Sequence, residues 1–166
     1  MSGFKSNKDA VMSALDEAVV EGMNASLVGF GRLLRTTLSQ PGTGKIYRIA
    51  KGRRKGRNAR EKGFHRASAP GRPPAANTNR LRASWAAGST VGFGTSVTGA
   101  GNRTTIRQDG KAIVLEFGSR VVYAPILEFG TRTVKRRPYL KPTLRVFEPR
   151  VKSIFATALR RRFSKP

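Results

Sequence analysis

Apolar side chains fall at Met12, Leu15, Val19, Met23, Leu27, Phe30, Leu34 and Leu38, three or four residues apart. That spacing places them on one face of an α-helix and predicts a single long helix over residues 7–38. Ser6 or Asn7 is available to cap its start, and Asp9 sits in the first turn. Asp16, Glu17 and Glu21 follow in the first half, with Arg32 and Arg35 near the end, an order that suits the helix dipole. Gly22, Gly29 and Gly31 interrupt the pattern. Each costs about 1 kcal/mol against Ala in a helix, so a bend near Gly29–Gly31 is expected. Pro41 and Gly42 end the segment.

The apolar period is lost from residue 39 to residue 84. Residues 45–50 (KIYRIA) read as a short strand, and residues 51–63 contain no apolar side chain larger than Ala59. Such a segment has nothing to bury and is expected to be mobile when unbound. Residues 67–76 (ASAPGRPPAA) carry three prolines and read as stiff and extended. Asn77, Thr78 and Asn79 precede a short helical turn expected near Arg80 and Leu81.

A strand period follows. A Val/Phe/Thr run covers residues 90–98, and the runs 103–108 and 111–117 flank Asp109-Gly110, a strong hairpin signal. A two-residue loop there sets Gln108 opposite Lys111, Ile106 opposite Ile113 and Thr104 opposite Leu115. Ile106, Ile113, Leu115 and Phe117 then share a face that can pack under the long helix. Residues 123–131 (YAPILEFGT) read as a helical turn ended by Gly130. In the last helix Leu144, Phe147, Val151, Ile154, Phe155, Ala158 and Leu159 form a stripe. Pro149 is expected to kink or split it.

The fold class this implies is α+β: a long N-terminal helix and a C-terminal helix packed on a small antiparallel sheet, with a long basic Gly/Pro-rich arm. Residues 1–166 read as one domain, divided into helix (1–40), arm (41–82), sheet (83–123) and C-terminal helical region (124–166). No run of 18 or more apolar residues suggests a membrane span. The N-terminus has no apolar signal segment, and the chain contains no cysteine.

Charge sharpens the picture. The chain carries 33 basic and 9 acidic residues, a net of +24. Residues 1–40 are balanced and residues 83–131 nearly so. The excess lies in residues 41–82 and 132–166. Blocks of like charge seek a polyanion or an acidic protein surface. The candidates for facing DNA or an acidic partner are Arg53, Arg54, Lys55, Arg57, Arg60 and Lys62 in the arm, and Arg160, Arg161 and Arg162 at the end of the last helix. Tyr47 and Phe64 are too few to make a single-strand stacking platform, so contact with nucleic acid is expected to be non-specific and salt-sensitive.

Catalytic chemistry is thin. The single histidine, His65, lies in the arm and reads as solvated. Carboxylates are scattered, without the converging pair or trio that a metal nuclease needs. Gly42, Thr43, Gly44 and Lys45 look like the end of a phosphate-binding loop, but the full spacing is missing and Ile46 stands where a Ser or Thr would hold magnesium. The expectation is no enzyme, no metal and no cofactor.

Two stretches resemble the small neck proteins of tailed bacteriophages, the head–tail joining, tail-completion or minor tail components. The first is Gly44-Lys45-Ile46-Tyr47-Arg48, then residues 65–75 (HRASAPGRPPA) and residues 77–84 (NTNRLRAS). It is similar to the family's G-x-x-Y, H-Q-A-S-A-P-G-E-P-P-A and D-T-G-R-L-R-x-S. The second is Tyr123-Ala124-Pro125-Ile126-Leu127-Glu128-Phe129-Gly130-Thr131, followed by Arg137-Pro138-Tyr139-Leu140-Lys141-Pro142. It is similar to Y-A-x-x-L-E-F-G-T and R-P-F-L-x-P. Arg66, Arg72, Asn77 and Asn79 depart from the pattern, and residues 51–62 look like an enlarged basic insertion.

The resemblance implies a structural virion protein without catalysis. Such a subunit forms a homo-oligomeric ring, six- or twelvefold, at the neck around genomic double-stranded DNA. Its neighbours would be the portal-side connector and tail-tube or tail-terminator proteins. It would assemble in the host cytoplasm, with no membrane involved. In this reading Tyr47, Ser68, Pro70, Pro73, Pro74 and Leu81 belong to a strap laid over the adjacent subunit. Leu127 and Phe129 anchor in the core, Gly130 permits a sharp turn, and Glu128 pairs with an arginine. The rival expectation is a cytoplasmic, non-specific nucleic-acid-binding protein.

Overall fold

A computed structural model of the chain describes residues 7–48, 64–77, 79–86, 96–98, 101–109 and 112–164. The fold is α+β. Helix α1 (Lys8–Thr37) is followed by strands β1 (Ile46–Arg48) and β2 (Phe64–Arg66) and by the short helix α2 (Arg80–Ala83). Then come β3 (Ser96–Thr98), β4 (Asn102–Asp109), β5 (Ala112–Ser119), α3 (Ala124–Phe129) and α4 (Leu140–Phe163). β1 and β2 form a two-stranded ribbon, and β3, β4 and β5 form an antiparallel meander. The arm residues 51–62, with the six basic candidates between Arg53 and Lys62, lie outside the described residues, as does most of the expected strand 90–98.

The two long helices pack antiparallel, and glycine sets their approach. A methyl group on Gly22 would stand 2.8 Å from Cδ1 of Phe155, and one on Gly29 would stand 3.1 Å from Cε2 of Phe147. The glycines of α1 therefore have a packing role. α1 continues through them as one helix, and the missing side chains seat two phenylalanine rings from α4. Phe147 also packs on Phe30, with ring centroids 5.5 Å apart. At the far end the Thr37 and Thr143 hydroxyls lie 3.2 Å apart.

α4 likewise runs through Pro149 as one helix, so the expected split does not occur. Pro149 and Arg145, four residues earlier, both face solvent, where water can satisfy the carbonyl that loses its donor. The buried face of α4 is set by Thr143, Phe147 and Ala158. Leu144 is half exposed, and Met12 on α1 is also outside the core.

The β4–β5 hairpin forms with a register two residues from the expected one. Gln108 pairs with Ile113, Ile106 with Leu115 and Thr104 with Phe117, and Asp109 is a paired strand residue opposite Ala112. A slip of two keeps every side chain on its original face because the strand period is two. The predicted face therefore survives the wrong register. Ile106 and Met23 form a buried cluster with Val19, Ile113, Leu115 and Phe155 around it. On the other face Arg107 bonds Asp109 at 3.1 Å and Glu116 at 3.2 Å.

A second cluster gathers Leu34, Leu38, Leu81, Trp85, Val121, Ala124 and Tyr139. Trp85 is its hub, edge-on to Phe117 at 5.2 Å and to Tyr139 at 6.2 Å. The cluster joins the end of α1 to α2, α3 and the start of α4. Residues 64–77 are tied beside it, Ser68 to Arg137 and Gly71 to Arg136.

Phe147 is 4% exposed where the two long helices meet. We expect Phe147→Ala to lower unfolding free energy by about 3–5 kcal/mol, read from the urea midpoint at unchanged slope.

Candidate functional site

α3 divides its residues between two environments. Ala124 and Glu128, one turn apart, point inward and are buried. Tyr123, Ile126 and Phe129 stand on the other side, and Phe129 is 78% exposed. The expectation that Phe129 anchors in the core is thus corrected. Leu127 does pack against the Trp85 cluster. Gly130 ends the helix at φ 79 and ψ 179, a conformation open essentially to glycine alone. A side chain there would meet the Val134 carbonyl at 2.9 Å.

Glu128 has a different partner from the arginine expected. Its carboxylate is 7% exposed and lies at the head of α4. Oε2 accepts the backbone N–H groups of Tyr139 at 2.8 Å and Leu140 at 2.9 Å, and Oε1 accepts that of Lys141 at 3.0 Å. The next residue, Pro142, has no N–H to satisfy. The first turn of α4 is therefore capped by a side chain eleven to thirteen residues earlier in the chain. The negative charge also sits at the positive end of the helix dipole. The Thr143 hydroxyl closes the turn by donating to the Tyr139 carbonyl at 2.6 Å.

The segment joining α3 to α4 holds the arm as well. The Arg137 backbone N–H donates to the Leu127 carbonyl, and Arg137 Nε donates to the Ser68 carbonyl at 3.1 Å. The Gly71 N–H donates to the Arg136 carbonyl at 3.0 Å. Ser68, Pro74 and Leu81 are buried within their own chain, Pro73 is half-buried, and Tyr47 and Pro70 are exposed. The proline-rich stretch thus lies over its own subunit.

Between arm, α2 and α3 lies a cavity of about 500 Å³. Tyr47, His65, Arg80, Arg82, Tyr123 and Arg137 surround a floor that includes Leu38, Pro74, Leu81 and Leu127. His65 is half-buried and pairs with Tyr47 across the ribbon, so it is not the solvated histidine expected. No carboxylate lines the cavity among the described residues. The Ser68 hydroxyl is buried without a hydrogen-bond partner.

The cationic end of α4 is used within the molecule. Arg161 reaches Glu21 at 3.4 Å, and Arg162 pairs with Glu17. These two arginines meet the acids of α1, while Arg160 is exposed. All four side chains of the two pairs are substantially exposed, so each pair contributes at most about 1 kcal/mol.

Sequence reading missed Ile46, Phe64, Val122 and Ile126, which stand out to solvent together with Tyr47, Tyr123 and Phe129. Their signal was present only as the three-residue spacing of Tyr123, Ile126 and Phe129, too short a run to define a face. Among the described residues no three His, Asp or Glu side chains cluster as a metal site, and no helix is long and apolar enough to cross a membrane.

No protein-family model, curated protein or solved structure matches the chain.

Two predictions test the capped junction. Glu128→Ala leaves three N–H groups without their acceptor and should cost about 2–4 kcal/mol in chemical denaturation. Glu128→Gln keeps an acceptor oxygen and should cost less. Tyr139 is 2% exposed, and burial, followed by the nearby Glu128 carboxylate, pushes its phenol up to about 12. The unfolded phenol ionises near its ordinary value of about 10. The stabilisation is therefore complete below about pH 10 and is lost as pH rises toward 12. In an ultraviolet titration one of the three tyrosines should ionise late, and Tyr139→Phe should remove that late phase.

Proposed function

We propose that the chain is a structural virion subunit that forms a ring at the neck of a tailed bacteriophage, in head–tail joining or tail completion, around the DNA channel. The observation that carries this reading is the contrast across the Tyr123–Thr131 and Arg137–Pro142 stretches. Their inward groups, Glu128, Arg137 and Tyr139, are consumed in building the subunit. The outward groups of the first stretch are large and apolar: Phe129 is 78% exposed, Ile126 and Tyr123 are exposed as well, and Val122, just before that stretch, is 86% exposed. Exposed apolar groups of this kind mark surfaces that other proteins cover. The ribbon adds Ile46, Tyr47 and Phe64; Tyr47 and Tyr123 line the same cavity, so the two surfaces adjoin.

In this reading the basic blocks face DNA in the channel or acidic neighbours, and the neighbours are the portal-side connector and the tail-tube or tail-terminator proteins. The net charge of +24 favours one second reading, a monomer that binds nucleic acid without sequence preference. The two readings differ in what the isolated protein does.

Mass measurement and negative-stain imaging of purified protein should show closed rings of uniform size. A protein that stays monomeric at every concentration, and that binds free DNA with steep salt dependence, would replace the ring reading by the second.

A further inference from the structure

The β1–β2 ribbon has two unlike faces. In an antiparallel pair, residues directly opposite share a side. Tyr47 and His65 are opposite each other and line the cavity. Ile46 opposite Arg66, and Arg48 opposite Phe64, make the outward face. On it Ile46 is 51% and Phe64 61% exposed, and Arg48 and Arg66 are exposed as well. This face is apolar and cationic, with no acidic side chain.

α1 carries a groove of complementary chemistry, about 880 Å³ in volume. Asp16, Glu17 and Glu21 provide its acids, and Val20, Ala25 and Val28 its apolar floor, with Arg32 at one end. Glu17 and Glu21 are partly answered by Arg162 and Arg161. Asp16 has no ion pair among the described residues. Four of the chain's nine acids lie between Asp9 and Glu21. All four are exposed, and they form the largest group of acids on the described surface.

A chain cannot join these two faces to each other. The ribbon lies beside the C-terminal end of α1, where Tyr47 and His65 line one cavity with Leu38. From Asp16 to Thr37 the helix runs about 30 Å at 1.5 Å per residue. The two surfaces are different, which is the condition for a head-to-tail contact that closes into a ring when the rotation permits.

We propose that the outward face of the β1–β2 ribbon of one copy seats in the acidic groove of α1 of a second copy. Ile46 and Phe64 lie on the valine floor, and Arg48 and Arg66 meet Asp16 and its neighbours. The proposal rests on the reading of the chain as a self-assembling subunit and assigns the two surfaces that do it.

Charge reversal tests it. The groove variant is Asp16→Arg with Val28→Arg, and the ribbon variant is Arg48→Glu with Arg66→Glu. All four positions are exposed, and circular dichroism with thermal unfolding checks that each variant is folded. In sedimentation velocity at near-physiological salt, each variant alone should associate at least about tenfold more weakly than the parent. An equimolar mixture of the two should regain assembly, because every ribbon then finds a groove of opposite charge. The chain carrying all four substitutions should regain it too. If the parent assembles and the single-surface variants assemble equally well, the ribbon–groove contact is wrong while the ring reading stands. If each variant is weakened and neither the mixture nor the fourfold variant recovers, the two surfaces do not pair. If the parent does not assemble at all, both readings fall.

Discussion

Everything at one end of this molecule depends on a single buried carboxylate. Helix α4 begins where the chain leaves Arg137 and Pro138, and its first N–H groups point toward the protein interior. Water cannot reach them freely, and no residue beside them provides a cap: Tyr139, at the N-cap position, makes no side-chain capping bond. Glu128 takes three of these donors at once. Moving a carboxylate out of water is expensive unless it is met by donors. Three N–H groups and the helix dipole provide that compensation. The arrangement requires α3 to present Glu128 inward, which requires the turn at Gly130, which in turn brings Arg137 back against Leu127. The residues that look like a sequence motif are one connected set of hydrogen-bond requirements.

The same junction fixes the arm. Arg137 donates to Ser68 and the backbone at Arg136 accepts from Gly71, so the proline-rich stretch is tied to the segment that Glu128 holds. This stretch is stiff before it docks, and its prolines reduce the entropy lost on ordering. The cavity beside it exists because the ribbon, α2 and α3 are each held by this junction or by the Trp85 cluster. Weakening the Glu128 cap should therefore reach beyond α4, loosening the surface that carries Tyr47 and Tyr123.

The parts legible in the sequence were those fixed by period. The faces of α1 and the β4–β5 hairpin follow from spacings of three to four and of two. The hairpin register did not follow, yet its error of two residues left the buried face unchanged. What escaped were features created by tertiary contact. The glycines of α1 read as weak points because nothing in a single helix shows that Phe147 and Phe155 will occupy the space. Pro149 read as a breaker because its exposure on the outer face of α4 depends on which side packs. Glu128 read as the partner of an arginine, since its actual partners are backbone groups with no signature of their own. Phe129 read as core because it is a large apolar residue two positions from Leu127, and at 3.6 residues per turn a helix sets residues two apart on opposite sides.

Electrostatics organise the rest of the chain by the same economy of few acids. Nine carboxylates serve a molecule with 33 cationic side chains, so where each acid sits decides where positive surface can gather. Glu128 is buried, and Asp109 and Glu116 are shared by Arg107. The first half of α1 is left as the main anionic surface, and the antiparallel packing of α4 brings its terminal arginines there. That placement stabilises both helix ends with respect to their dipoles, and it also takes Arg161 and Arg162 away from any outside anion. The basic surface that remains at the other end, around Arg48, Arg66, Arg80 and Arg136, has no comparable acidic ground within the described chain. The acids of α1 and the terminal arginines of α4 thus largely cancel, and the excess positive charge is left to the rest of the surface.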